Sequence, residues 1–479
     1  MNSRTKRATH SGAQAAAEWQ RWMPLLFLAF VFLTGGASRS DVASLPLLRS
    51  GSVLFGCWAI AGMQRGDWLR IRTPLILLSA LTMLIAVQLV PLAPSIWHNL
   101  PGRELIVAAD RVLGQPEISR PISLTPSETW NSLLAMTVPL AALLVASRVA
   151  ADDVPRLLQA LVIIAVVSAL LGVLQIVSGA GSPAFLYRIT NSGSMVGLFA
   201  NRNHHAIFQA CAIIFSAALL RDELMRRQQR SLVQLGLVGA ALLLTIMTML
   251  IGSRAGLVAG AAAFALSYAM LVPAWLNRPS RAAAHRRRPN KAVPAPWASK
   301  LLLFIPPLLL AMLFTTILLL ADRNTSISRI ADNRVAEDLR VLAWPTIQHM
   351  TQTHWLVGAG FGSFPAVYRI FESDALLQPA YFNHAHNDWV EMLITGGLPL
   401  ALIVAAAIIW LERAATAGGL RNLIKGHRGD YRLAILASTG LVAAASMVDY
   451  PLRVPSIQAM LVMLLLLFAC PTTATAQRE

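Results

Sequence analysis

The sequence predicts an all-α polytopic membrane protein, and three observations carry that reading. Of 479 residues, 56% are apolar and only 13% charged. Apolar residues gather into runs such as 301–321 and 454–470, about long enough to cross the roughly 30 Å hydrocarbon core as helices. The ionisable residues concentrate late in the chain, in a segment over 322–390 that carries Arg323, Arg329, Arg334, Arg340 and Arg369 and is too polar to enter lipid.

Length and flanking charge give about twelve spans, near residues 22–37, 47–63, 74–92, 128–147, 154–178, 204–220, 232–251, 255–272, 301–321, 391–411, 433–447 and 454–470. Threading them from a cytoplasmic N-terminus leaves a clear majority of the 40 Lys and Arg residues inside, in short loops where such charge sets orientation. Four segments then lie outside: 93–127, 179–203, the link at Ser253-Arg254, and 322–390. The chain divides into an N-terminal tail (1–21), a first membrane half (22–275), a basic Pro-containing linker (276–300), a span (301–321), the large outer loop (322–390), C-terminal spans (391–470) and a short tail (471–479). Residues 1–21 and the run after them have the look of a signal peptide, but an uncleaved first helix fits the threading without adjustment.

The net charge of +17 would suggest nucleic acid in a soluble protein. Here basic cytoplasmic loops account for it, since they orient the protein and meet anionic lipid headgroups, so membrane lipids rather than nucleic acid are the expected partner. Cys57, Cys211 and Cys470 lie in or at spans and suggest neither a disulfide framework nor a metal site. Trp22, Trp97, Trp130, Trp275, Trp297, Trp355 and Trp389 cluster near span ends, as interfacial anchors do.

The polar features fall on the outer side. Residues Arg334 to Met350, with Val335, Leu339, Leu342 and Ile347, are expected to form an amphipathic helix on the membrane surface. It leads into Gly358-Ala359-Gly360-Phe361-Gly362, whose spacing matches no nucleotide-binding fingerprint and which reads as a tight turn. His384-Ala385-His386-Asn387-Asp388-Trp389 closes the loop; a neutral imidazole there accepts a proton near pH 7, while the plainer reading is that His386 and Asn387 cap the next helix. A metal on the two histidines with Asp374, Asp388 or Glu391 is the weaker alternative, because His-x-His does not by itself supply three or four ligands.

Arg254, in Gly252-Ser253-Arg254-Ala255-Gly256, sits between two spans with almost no loop. An arginine at that depth needs a partner or a polar cavity, unless it snorkels to the headgroups. Arg334 and Arg340 carry planar forks suited to phosphate oxygens. Asn201-Arg202-Asn203-His204-His205 adds a polar cluster at the outer start of the sixth span, where helix-start hydrogen bonding is the simpler role for the histidines. Together these groups suggest an outward-facing site for a pyrophosphate-like anion beside a base.

In order and spacing, Asn201 to His204, Gly252 to Gly256, Arg340 with Trp344, Gly358 to Gly362, His384 to Asn387 with Gly396-Gly397-Leu398-Pro399, and Asp449-Tyr450-Pro451-Leu452-Arg453 resemble the O-antigen ligase and polymerase superfamily of bacterial envelope glycosyltransferases. The resemblance implies a GT-C-like helical fold with a large periplasmic loop in the inner membrane. It also implies metal-independent, inverting transfer of a glycan from undecaprenyl diphosphate to a hydroxyl, with no cofactor. The acceptor would be lipid A-core for a ligase or a lipid-linked glycan for a polymerase. By position, His386 and Arg254 match the family's essential histidine and arginine. Arg340 resembles a second arginine at the lipid diphosphate; Arg334 is expected to join it from its guanidinium chemistry, and His384, Asn387, Asn203 and His204 to support. Leu400 and Val258 depart from ligase usage, so ligase and polymerase both stay open. A transporter or flippase for lipid-linked glycans or small anions is the alternative from another class; such proteins carry polar, broken helices at mid-membrane, whereas this chain holds its ionisable residues outside.

Overall fold

The computed structural model describes residues 19–226, 228, 230–276, 341–377, 382–417 and 429–470. Its helices follow the apolar runs: α1 (Trp19–Thr34), α2 (Leu45–Ala61), α3 (Arg65–Val87), α6 (Pro126–Ala135) continuing into α7 (Thr137–Ser147), α8 (Val154–Ser178), α9 (Arg202–Leu224), α10 (Ser231–Leu250), α11 (Arg254–Leu276), α14 (Asp388–Ala417), α15 (Arg432–Ala445) and α16 (Pro455–Ala469). Short α4 (Pro94–Trp97) and α5 (Glu104–Val112) precede α6, and α12 (341–354) and α13 (Phe364–Phe371) precede α14. Six stretches among the described residues are long and apolar enough to cross a membrane: α3, α6 with α7, α8, α10, α11 and α14. Helices α1, α2, α15 and α16 are apolar but shorter. The expected span 301–321, the linker after residue 276, residues 1–18 of the N-terminal tail and the C-terminal tail lie outside the described residues.

Helix α9 is the axis of the assembly. Every residue from His204 to Leu219 is buried, and α8, α10, α11 and α15 all pack on it. A helix apolar all round belongs in the interior, and the alanines of α9 let neighbours approach closely: a Cβ on Gly256 of α11 would stand 2.5 Å from that of Ala206. A second group forms around α7, which packs against α2, α3 and α16.

The connections sort to two ends of the bundle. At one end Arg148 pairs with Asp67 (3.0 Å), Arg230 with Glu223 (2.9 Å), and Asp222 accepts from Gly429 N (2.8 Å). There Arg70 donates to the carbonyls of Ser147, Val149 and Cys470, capping the ends of α7 and α16 with a cation where the helix dipoles are negative. At the other end lie the segments expected outside. The 93–127 stretch is more structured than a loop: besides α4 and α5 it contributes β2 (Arg120–Pro121), antiparallel to β1 (Pro91–Leu92) with Pro91 opposite Pro121. Trp97, expected as an interfacial anchor, is instead buried, its Nε1 donating to Pro121 O (2.7 Å) beneath the Arg103 and Arg120 guanidinium groups.

The amphipathic helix of the outer loop is present as α12 but faces differently from the expectation. Ala343, Ile347, Met350 and His354 form its buried stripe, at i, i+4, i+7 and i+11. They pack on protein, against Phe364, Val367 and Tyr368 of α13 and Ile394 of α14. Leu342 is 59% exposed, and Val335 and Leu339 lie outside the described residues.

The glycine turn meets α14 where that helix breaks. Pro399 has no N–H to give and Gly397 adopts φ 64°, ψ −162°, a conformation open essentially to glycine. Two carbonyls upstream lose their helical donors. Ala359 N takes Ile394 O (2.8 Å), while Gly360 N and Gln88 Nε2 both take Thr395 O (3.0 Å each), and Leu398 N turns outward to Leu356 O (3.3 Å). The turn thus completes α14 and fixes the outer loop to the bundle.

Candidate functional site

The site forms where α9, α11, α14 and α16 begin, at the end of the bundle that holds the outer segments. Asn201 caps α9, its Oδ1 accepting from Asn203 N (2.9 Å). Ser253 caps α11: its Oγ accepts from Gly256 N (3.0 Å) and donates to Asn203 Oδ1 (2.7 Å), tying the two helix starts together. Arg254 is the first residue of α11 and is exposed, one residue from that link. Asn387 caps α14, accepting from Val390 N on its Oδ1 (3.2 Å). The capping role foreseen for the His-Asn motif is therefore real, and it belongs to Asn387. Several helix N-termini opening on one place give it a positive potential suited to an anion.

His384 and His386 both lie against Tyr450 in the connection from α15 to α16. Ring centroids are 4.3 Å apart for His384 and Tyr450, 5.1 Å for His386 and Tyr450, and 5.0 Å for His204 and Tyr450. Asn201 Nδ2 donates to the Tyr450 hydroxyl (3.4 Å). Three histidines from two distant parts of the chain thus share one aromatic ring. His386 is the one non-glycine residue among those described with a positive φ (51°), backbone strain of the kind that collects at functional sites.

Each loop histidine faces a buried carboxylate. His384 Nδ1 donates to Glu391 Oε1 (3.0 Å), whose other oxygen accepts from Ala385 N (2.8 Å). Arg453 answers the charge of Glu391 through Nη2 (3.1 Å) and reaches Asp388 Oδ1 through Nε (3.3 Å), while Asp388 Oδ2 accepts from Leu452 N (2.9 Å). Glu391 and Asp388 are 1% and 0% exposed, so this network locks the histidine segment to the α15–α16 connection. His386 Nδ1 stands 3.5 Å from Asp449 Oδ1, and His204 Nε2 3.9 Å from Asp449 Oδ2. Burial would raise the Asp449 pKa, yet His386, His204 and Asn203 facing it bring it down to about 2, so the group is an anion.

Of the residues expected from sequence, the structure brings His384, His386, Asn387, Asn203 and His204 into one cluster, with Arg254 beside it. Arg334 and Arg340 lie outside the described residues. His205 is separate: its ring bridges Met195 O (2.9 Å) and Gln209 Nε2 (2.6 Å) inside the bundle, a satisfied core histidine. Among the described residues no three His, Cys, Asp or Glu side chains are placed to share one metal ion. Of the carboxylates weighed as metal ligands, Asp374, Asp388 and Glu391, the last two are engaged with Arg453. Sequence reasoning gave no role to Asp449, Tyr450 and Arg453. The available signal was an acid and a base four residues apart at the mouth of two apolar helices, where an ionisable residue calls for a function.

No curated protein matches the chain. Residues 239–405 match the O-antigen ligase family model, a stretch that runs from within α10 to the kinked first half of α14 and holds Arg254, His384, His386 and Asn387. That match covers about a third of the chain and supports the resemblance of this helical membrane protein to the O-antigen ligase and polymerase superfamily.

Proposed function

We propose that the protein is an O-antigen ligase-type membrane glycosyltransferase that moves a glycan from undecaprenyl diphosphate to an acceptor hydroxyl at the periplasmic face of the inner membrane. In this reading the shorter apolar helices, α9 and residues 301–321 also span, giving about twelve crossings, and the site end of the bundle faces the periplasm. The observation that carries the reading is the convergence of His384, His386, His204 and Asp449 around Tyr450 at the starts of α9, α11 and α14. A base stands there beside a region suited to an anionic leaving group.

His386 is the general base. Glu391 holds His384 in place and is itself paired with Arg453, so His384 is read as a positioning residue. Asp449 meets imidazoles and an amide, and its charge acts on His386. With Nδ1–H directed to Asp449, Nε2 takes the proton of the acceptor hydroxyl as its oxygen forms a bond to the anomeric carbon. The bond from that carbon to the diphosphate oxygen breaks on the opposite face, its electron pair leaves with undecaprenyl diphosphate, and configuration inverts. A diphosphate leaves without protonation, so one base suffices. Arg254, Arg340 and Arg334 offset the charge gathering on the leaving oxygens, a task arginine performs in two-point contact. His384, Asn387, Asn203 and His204 hold the frame, and the scheme asks for no metal or cofactor.

The acceptor is lipid A-core or a lipid-linked glycan. Deleting the gene and running the surface polysaccharides on gels separates the two. Loss of all long chains from lipid A-core supports ligation, single-repeat species support polymerisation, and an unchanged pattern overturns the proposal.

A further inference from the structure

The structure assigns to His204 the positioning of Asp449: the His204 ring faces one carboxylate oxygen across 3.9 Å, so that the other stays turned to His386 Nδ1 at 3.5 Å. This rests on the reading of His386 as the base. His204 is 1% exposed, and neither of its ring nitrogens has a hydrogen-bond partner in the structure. Its neighbour His205, equally buried, is bonded through both nitrogens. Burying a polar ring without partners is unfavourable, and histidines inside this bundle can be satisfied, so the exception asks for a reason. The group nearest the open nitrogen is Asp449 Oδ2, at 3.9 Å, and the ring meets Tyr450 edge-on at 79°.

His204 also stands in the first turn of α9, three residues after the cap Asn201 that donates to the Tyr450 hydroxyl. Both carboxylate oxygens therefore face an imidazole, one from the loop that carries the base and one from α9, the most buried of the described helices. The base sits on a loop, while α9 is packed on four sides. A carboxylate tied to α9 gives the base a constant orientation and tautomer. Sharing the charge between two donors also lowers the proton affinity of His386. The groups facing this trio are Asn203 of α9, Tyr450 of the α15–α16 connection and His384 of the same loop, with Glu391 and Arg453 behind His384.

The test uses purified full-length protein in detergent. Solubilised membranes of the deletion strain supply the natural donor and acceptor, and consumption of lipid-linked glycan is read against pH. His204→Phe keeps a ring against Tyr450 and removes the donor, and it should lower kcat about 10- to 100-fold. It should also move the acid limb of the profile to higher pH, because Asp449 then acts on His386 alone. His204→Gln restores an N–H near Nε2 and should recover the wild-type limb and most of the rate. In an Asp449→Asn background, His204→Phe should have no further effect. If His204→Phe fails to accumulate, His204→Met fills the space without a donor and takes its place. A wild-type rate and profile in the donor-free variant overturns the inference. So does an equal loss in the Phe and Gln variants with no shift of the limb, or a further loss in the Asp449→Asn background. His386→Ala in the same assay separates the failures: if it stays active the base reading falls, and if it is inactive while His204→Phe behaves as wild type, only the role of His204 falls.

Discussion

Arg453 offers the most quantifiable perturbation. Its guanidinium lies 3.3 Å from Asp388 Oδ1 and 3.1 Å from Glu391 Oε1, two carboxylates that are 0% and 1% exposed. Replacing it with Met keeps much of the packing and leaves both acids without this cation. Removing one partner from a buried ion pair costs about 3 to 5 kcal/mol, because the remaining charge keeps its desolvation penalty. The two acids share one cation, and proton uptake by buried Asp388 offsets part of the loss, so the lower end of that range is expected. Lysine reaches one carboxylate but not both, so Arg453→Lys should fall between Met and wild type. Adding Asp388→Asn to Arg453→Met removes one of the two orphaned acids and should return part of the loss. The assay is the unfolding midpoint of purified protein in micelles, read with transfer activity, since Glu391 also holds Ala385 N and His384. An Arg453→Met protein as stable and as active as wild type would refute the claim that this network fixes the histidine segment.

Three further outcomes follow from the geometry. Gly397→Ala should destabilise by about 2 to 4 kcal/mol, through its φ of 64° and a Cβ 2.7 Å from Gly358 N, and thermal melting checks it. Asp449 has a folded pKa of about 2 against an ordinary 3.8, so the stability it contributes is present above about pH 4 and is lost as pH falls toward 2. Asp449→Asn should flatten the acid limb of stability in that window; an unaltered limb contradicts the assignment. Arg254→Lys should lose most activity although the charge is kept, because a point charge cannot reproduce two-point phosphate contact; full activity would return Arg254 to a headgroup role.

The helices were legible because apolar length is written directly in the sequence. Val154–Ser178 appears with the expected bounds, and α10 and α16 within a residue of theirs. What periodicity could not supply was the partner of each face. Helix α12 carries apolar residues around much of its circumference, and only contact with α13 and α14 decides that Ala343 and Ile347 turn inward while Leu342 stays exposed. The glycine turn was read correctly as a turn, but its purpose lies in Pro399, some forty residues later, whose missing N–H leaves carbonyls for Ala359 and Gly360 to take. At the site, residue chemistry singled out His384, His386, Asn203 and His204 because polar groups are rare in this chain. Asp449 and Arg453 escaped a role because their meaning comes from pairing across the fold, with His386 and with Glu391.

The central claim is that His386 removes the proton from the acceptor. Its most direct test is the turnover of purified His386→Ala on the lipid-linked glycan and acceptor of the deletion-strain membranes, with donor binding measured in parallel. General-base catalysis is typically worth about 10²- to 10⁴-fold, so a loss of that size with undiminished donor binding is the predicted result. Near-normal turnover, or activity abolished by a chelator and restored by a divalent cation in the wild type, would contradict it.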